Sequence, residues 1–297
     1  MMSRRISPMW RNVTVNEVTS HTVTNTTEST SSKVLQRSGY EMTMLIGVCT
    51  LLGFAVGSFL NVVIYRIPRH ESVVSPRSAC PSCAAPIAGF DNVPVLSWLL
   101  LRGRCRRCRS PIAWRYPLVE VACAGLFAGA AARLGFNWAL PAFMAALAGL
   151  LALAAIDLTH LVLPRGIVYI TLAIVAVLLL LAALATHQWL RLLVAGAVAL
   201  VWFVIFYLMN LVNPRILGFG DVRLAPLLGL TLGWLGVPYA LLGFFVANLL
   251  GAVIGLVLIA TKRRRRDQPI PYGAFLALGA ATALYAGPVL LAPFHRL

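Results

Sequence analysis

Run after run of this 297-residue chain is long and apolar enough to cross a lipid bilayer, which removes most of the folds open to a polypeptide of this size. A helical crossing needs about 20 mostly apolar residues. Such runs fall near 43–65, 117–135, 138–157, 166–185, 190–212, 222–236, 238–261 and 272–292, the sixth of them short. Inside lipid the backbone must satisfy its own polar groups, so these runs are expected to be helices. Charged residues make up only 11% of the chain, against roughly 25% in soluble domains. The expected class is an all-α polytopic membrane protein of about eight transmembrane helices.

The few charges are lopsided: 25 Lys and Arg face 9 Asp and Glu, a formal net charge of +16. Such an excess can mark a nucleic-acid binder, but membrane proteins also gather Lys and Arg in their cytoplasmic loops. If the N-terminus lies outside, 17 of the 25 basic residues fall in segments facing the cytoplasm, including Arg66, Arg69, Arg77, Arg102 to Arg109, Arg165, Arg215 and the run Lys262 to Arg266. Eight spans with both termini outside therefore obey the positive-inside rule. The surplus is read as a topology signal, with the lipid bilayer as partner and no nucleic acid. The Lys262 to Arg266 run is read as an anchor facing anionic lipid.

The chain divides into four stretches. Residues 1–41 are rich in Ser, Thr and Asn without apolar periodicity and are expected to be a disordered or mis-assigned tail. Residues 42–65 form the first span, 66–116 a soluble insertion on the cytoplasmic side, and 117–297 a multi-helix membrane core. The insertion holds Cys80-Pro-Ser-Cys83 and Cys105-Arg-Arg-Cys108 in an internal repeat, Cys80-x2-Cys83-x2-Pro86-Ile87 recurring as Cys105-x2-Cys108-x2-Pro111-Ile112. Two like turns offering two thiolates each meet the tetrahedral demand of a structural Zn2+ ion. A loop this short has too little core to fold unaided, so a metal staple suits it. Disulfides are the alternative, less fitting in the cytoplasm, where thiols stay reduced. Cys49 and Cys123 lie in spans and read as small core residues.

Between Pro117 and Thr261 stand three carboxylates, Glu120, Asp157 and Asp221. An acid within a membrane is expensive and marks function by default. Asp157 ends the third span and Asp221 opens the sixth, so the orientation above places both at the cytoplasmic boundary. Two aspartates sharing a site supply an acid and a base together, because one keeps its proton when the other ionises. Gly218 and Gly220 of Gly218-Phe219-Gly220-Asp221 are expected to give the backbone open dihedrals and leave room for a substrate strand. Structural alternatives stand beside this reading: Asp157 capping the helix or loop that follows it, Asp221 capping the sixth helix, Glu120 pairing with a loop arginine such as Arg115, and His160 as an interfacial loop residue.

These residues resemble a known family. Gly57-Ser-Phe-Leu-Asn61-Val-Val-Ile-Tyr-Arg66, the paired C-x2-C, Asp91-Asn92-Val93-Pro94, Ser97-Trp98-Leu99, Leu101-Arg-Gly103-Arg-Cys105, Arg115-Tyr-Pro-Leu-Val-Glu120 and Gly218-Phe-Gly-Asp221 are similar, in order and spacing, to the bacterial type IV prepilin peptidases, over residues 53 to 290. The resemblance implies an intramembrane aspartyl protease of the G-x-G-D type in the cytoplasmic (inner) membrane. Such an enzyme cuts the leader from type IV prepilins or type II secretion pseudopilins after a glycine, at the cytoplasmic face. It implies Asp157, in the pattern D-x6-P with Pro164, and Asp221 as the catalytic pair. It further implies N-methylation of the new terminus with S-adenosyl-L-methionine as donor, associated with the Cys loop and with Gly103. Arg165 and Arg223 depart from the family pattern, which more often has an acid and a lysine there. The competing function is a proton- or cation-coupled transporter using Asp157 and Asp221, with a regulatory zinc loop; relay acids usually sit near the bilayer midplane.

Overall fold

The computed structural model describes residues 20–75, 78–80, 82–88, 93–213, 217–261 and 270–293, with side chains described from Gly39 onward. Among these residues the chain is helical apart from loops and two isolated bridges. Its helices are α1 (Ser20–Arg66), α2 (Leu96–Leu100), α3 (Arg115–Leu134), α4 (Leu140–His160), α5 (Arg165–Thr186), α6 (Trp189–Val212), α7 (Phe219–Leu235), α8 (Val237–Ala260) and α9 (Tyr272–Leu291). Residues Met44–Leu297 form one unit and Met1–Thr43 another. Of the tail expected to be disordered, residues 1–19 lie outside the described residues, while helical backbone begins at Ser20. Extending an existing helix is far easier than nucleating a new one, and the first span supplies the nucleus. Also outside the described residues are Arg77, Asp91, Asn92, Arg215, the Lys262 to Arg266 run and Arg296.

Seven helices are long and apolar enough to cross a membrane among the described residues: Gly39–Arg69, α3, α4, α5, α6, α8 and α9. The expected sixth span is α7, which has only 17 residues. At 1.5 Å per residue it is about 26 Å long, short of the roughly 30 Å hydrocarbon core. It needs no lipid-compatible surface, because α4, α5, α6, α8 and α9 all pack against it and most of its residues are buried.

Small residues let these helices approach closely. A Cβ at Gly229 would stand 2.6 Å from the Ala199 Cα, and one at Gly233 2.9 Å from the Ala195 Cα, so α7 lies against α6 almost backbone to backbone. Gly243 and Gly279 do the same for α8 and α9, as Gly53 and Gly57 do for α1 and α3. Without a hydrophobic drive between helices in lipid, such contacts supply the dispersion energy of association. Cys49 and Cys123 are buried in this packing, as expected of small core residues.

Candidate active site and metal centre

Asp157 lies in the last turns of α4 and Asp221 in the first turn of α7; both are buried, at 5% and 8% exposure. The two carboxyls are near enough for the charge of Asp157 to act on Asp221. A third element completes the site. Oδ2 of Asp157 accepts a hydrogen bond from the Ala274 N–H at 3.1 Å, and the Gly273 N–H also donates to this carboxyl. Both donors belong to the opening turn of α9, where backbone N–H groups have no partner within the helix. Asp157 therefore does not cap the turn after its own helix. That end is closed by main chain, the Leu161 N–H donating to the Asp157 carbonyl at 2.9 Å with Leu161 in the left-handed region at φ 54°.

Asp221 is not the cap of α7 either; Gly218 holds that position. The Asp221 carboxyl sits three residues on and accepts from the Gly218 N–H, as the acid of a capping box does. The two glycines also differ from expectation. Gly218 has φ −68° and ψ 147°, which any residue adopts, and Gly220 is helical without positive φ. Gly220 is needed for space: a Cβ there would stand 3.1 Å from Leu163 Cβ, and one at Gly273 would stand 2.9 Å from Leu163 Cδ2. Leu163 is thus wedged between the opening of α7, which carries Asp221, and the opening of α9, whose amides hold Asp157. Tyr272, beside Gly273, lies within electrostatic reach of Asp221 and donates its phenol to Asn248 Oδ1 at 3.3 Å.

His160 ends α4 exposed, as does Arg165 at the start of α5. Arg223 stacks over the Phe219 ring at 4.7 Å. Glu120 does not pair with Arg115, which lies instead over the rings of Tyr65 and Tyr116. Its carboxylate accepts the Val95 N–H at 2.7 Å and bonds to Ser58 and Asn61. Asn61 in turn donates to the Tyr116 carbonyl at 3.0 Å, so Glu120 joins α1, α3 and the start of α2.

In the insertion the sequence repeat becomes a structural one. The Cys80 N–H donates to the Ala85 carbonyl and the Ala84 N–H to the Cys80 carbonyl, each at 2.9 Å. Cys105 repeats this with Ser110 and Arg109 at 2.9 and 3.0 Å. Bridges Ala79–Pro86 and Arg104–Pro111 close the two turns, and Ala84 and Arg109 both take left-handed φ, 53° and 57°. The four Sγ atoms of Cys80, Cys83, Cys105 and Cys108 lie within 4.8 Å of one another. Four thiolates at about 2.3 Å from a tetrahedral ion are about 3.8 Å apart, and Cys80 Sγ lies 3.7 Å from Cys108 Sγ. The donor set fits a metal ion.

The amides of Cys83 and Ser82, with the Ser110 hydroxyl, hold the Cys80 thiol down at about 6. Ser110 Oγ, 3.1 Å from Cys108 Sγ, lowers that thiol too. Cys83 gains from the Ala85 amide, yet the neighbouring thiols, Cys108 foremost, leave it raised at about 11. Four thiolates at this spacing repel one another, and a cation removes the conflict. Gly103 (φ 65°) lies beneath Trp98, where a Cβ would stand 2.9 Å from the ring. Its carbonyl accepts the Ile112 N–H at 2.7 Å, and Trp98 Nε1 donates to the Ile112 carbonyl at 3.2 Å.

Comparison with known proteins agrees with this two-part arrangement. Residues 51–134 match the Bacterial Peptidase A24 N-terminal domain, and residues 144–257 match the Type IV leader peptidase family. A Burkholderia pseudomallei (strain 1026b) protein named prepilin leader peptidase/N-methyltransferase is 37% identical over 287 residues, covering 86% of this chain and 88% of its own. The chain belongs to the type IV leader peptidase family. Relatives of the same name in Stutzerimonas stutzeri and Pseudomonas aeruginosa are 36% and 34% identical, over 83% and 81% of this chain and 93% and 90% of theirs. No solved structure matches. The first matched region contains the four cysteines, Gly103 and Glu120, and the second both aspartates.

Proposed function

We propose that the chain is a membrane aspartyl endopeptidase that removes the leader of type IV prepilins or type II secretion pseudopilins, cutting after a glycine at the cytoplasmic face of the inner membrane, and then N-methylates the new terminus. The observation that carries the peptidase reading is the meeting of Asp157 and Asp221 in one buried site, from helices far apart in sequence. The ionised aspartate takes a proton from water as it attacks the scissile carbonyl, while the protonated one gives its proton to the carbonyl oxygen. Collapse of the resulting diol returns a proton to the departing amine. The α9 amides fix the Asp157 carboxyl for this exchange. The placing of basic residues supports the cytoplasmic face.

The four cysteines would hold Zn2+ as a structural ion, all ligand positions being protein thiolates. The relatives' names support methylation. When bound, S-adenosyl-L-methionine supplies the methyl group for the freed amine. Gly103 offers no side chain to that donor and lies buried, so its contribution is to the shape of the loop.

The test is incubation of the detergent-solubilised chain with a prepilin and labelled S-adenosyl-L-methionine. Asp157→Asn and Asp221→Asn should each lower cleavage at least about 1,000-fold, and the double variant no further, because the pair acts as a unit. Wild-type cleavage by either variant would overturn the assignment. Unlabelled mature pilin from the wild-type chain would overturn the methylation half alone.

A further inference from the structure

The short helix α2 presents an apolar face that nothing among the described residues covers. Leu96, Leu99 and Leu100, spaced i, i+3, i+4 on one side, are 53%, 58% and 74% exposed, whereas Ser97 is buried and Trp98 covers Gly103. Helix position says where this face lies. Arg115 opens α3, whose 20 residues make about 30 Å, the thickness of the hydrocarbon core. Glu120 is five residues further, about 7.5 Å along the axis from Arg115. Its carboxylate takes the Val95 N–H, immediately before α2. The start of α2 is thereby pinned beside the second turn of a membrane helix, and a loop N–H group carried into lipid there would need such an acceptor. Val95 is held there at φ 58°, costly for a β-branched residue.

We propose that the Leu96, Leu99, Leu100 face of α2 dips into the bilayer beside α3, so that the insertion is seated on the membrane instead of projecting into the cytoplasm. The occupant of the face is lipid. The residues around α2 are of the kinds an interface uses: exposed Leu on the helix, exposed Trp114 just before α3, and exposed Arg102, Arg104, Arg107 and Arg109 between α2 and Pro111. Tryptophan favours the headgroup level, and arginine beyond it meets anionic headgroups. Glu120 then has a role independent of catalysis, as the internal acceptor that lets a loop amide enter the membrane.

The test places a small fluorescent amino acid at Leu100 of the full-length chain, reconstituted in phosphatidylcholine–phosphatidylglycerol vesicles. Quenching by brominated acyl chains is compared with quenching by aqueous iodide. Reporters at Ile170, exposed on α5, and at Arg107 set the lipid and water limits. The expected result is a loss of fluorescence with brominated lipid at Leu100 comparable with that at Ile170, and little loss with iodide. Iodide quenching equal to that at Arg107 would overturn the proposal. So would protection from both quenchers, which would mean that a second copy or a prepilin covers the face. A reporter at Leu99 repeats the test should the Leu100 variant lose its metal. Cleavage is not read, so failure here leaves the aspartyl reading standing.

Discussion

A methyl group at Gly273 would stand 3.1 Å from Oδ2 of Asp157 and 2.9 Å from Leu163, inside the space that sets the acid's position. Gly273→Ala should therefore displace Asp157 by a fraction of an ångström and lower kcat about 10- to 100-fold with little change in KM, since misplacement of that order is costly to reaction but not to substrate docking. Steady-state kinetics on a prepilin peptide checks this; an unchanged kcat would show that the α9 opening does not position the acid. The two aspartates were legible in the sequence because a carboxylate among apolar residues needs a reason to be there. Gly273 and Ala274 were not, since they act through backbone N–H groups, which every non-proline residue has, across 117 positions of chain. For Glu120 the structural role agrees with expectation but the partner differs, for a related reason: its carboxylate takes the amide of Val95, and sequence shows charged neighbours such as Arg115 far more readily than backbone ones.

The two cysteine turns are built alike, and each carries one residue against its conformational preference. Ala84 and Arg109 occupy left-handed backbone that costs a non-glycine residue about 1 kcal/mol. Glycine removes that strain but adds unfolded-state entropy, so Ala84→Gly and Arg109→Gly should each gain no more than about 0.5 kcal/mol. The gain is read as zinc retained at higher chelator concentration in the full-length chain. Gly103→Ala should do the reverse, because its added Cβ meets both positive φ and the Trp98 ring. Zinc retention and methylation should fall together while cleavage persists; methylation lost with zinc retained would point to a direct contact with the donor. The repeat was readable from cysteine spacing alone. Ser110, which touches two of the sulfurs, was not, because a lone serine beside a C-x2-C pair carries no metal signature of its own.

Over the whole molecule, the cysteine loop and the aspartate site rest on different supports. Stripping zinc with a chelator should abolish the order of the loop and leave circular dichroism of the helical core nearly unchanged. Gly229→Leu should act the other way. Its Cβ would meet the Ala199 main chain, which has no flexible end to yield, and overpacking of this kind costs about 1–3 kcal/mol or more, to be seen as a lower Tm with zinc content intact. Apolar runs made the helices legible, but not how α7 is surrounded, since burial by neighbours leaves the same apolar signature as burial by lipid. That difference bears on how the chain is made. A 17-residue segment with Asp221 and Arg223 in its first turns is a poor substrate for the insertion machinery, which weighs each segment largely by its own length and hydrophobicity. The partners that shelter it include α8 and α9, which are synthesised after it. α7 therefore has to wait for α8 and α9 before it can settle, and the proposed aspartate pair comes together only after those two helices have been made.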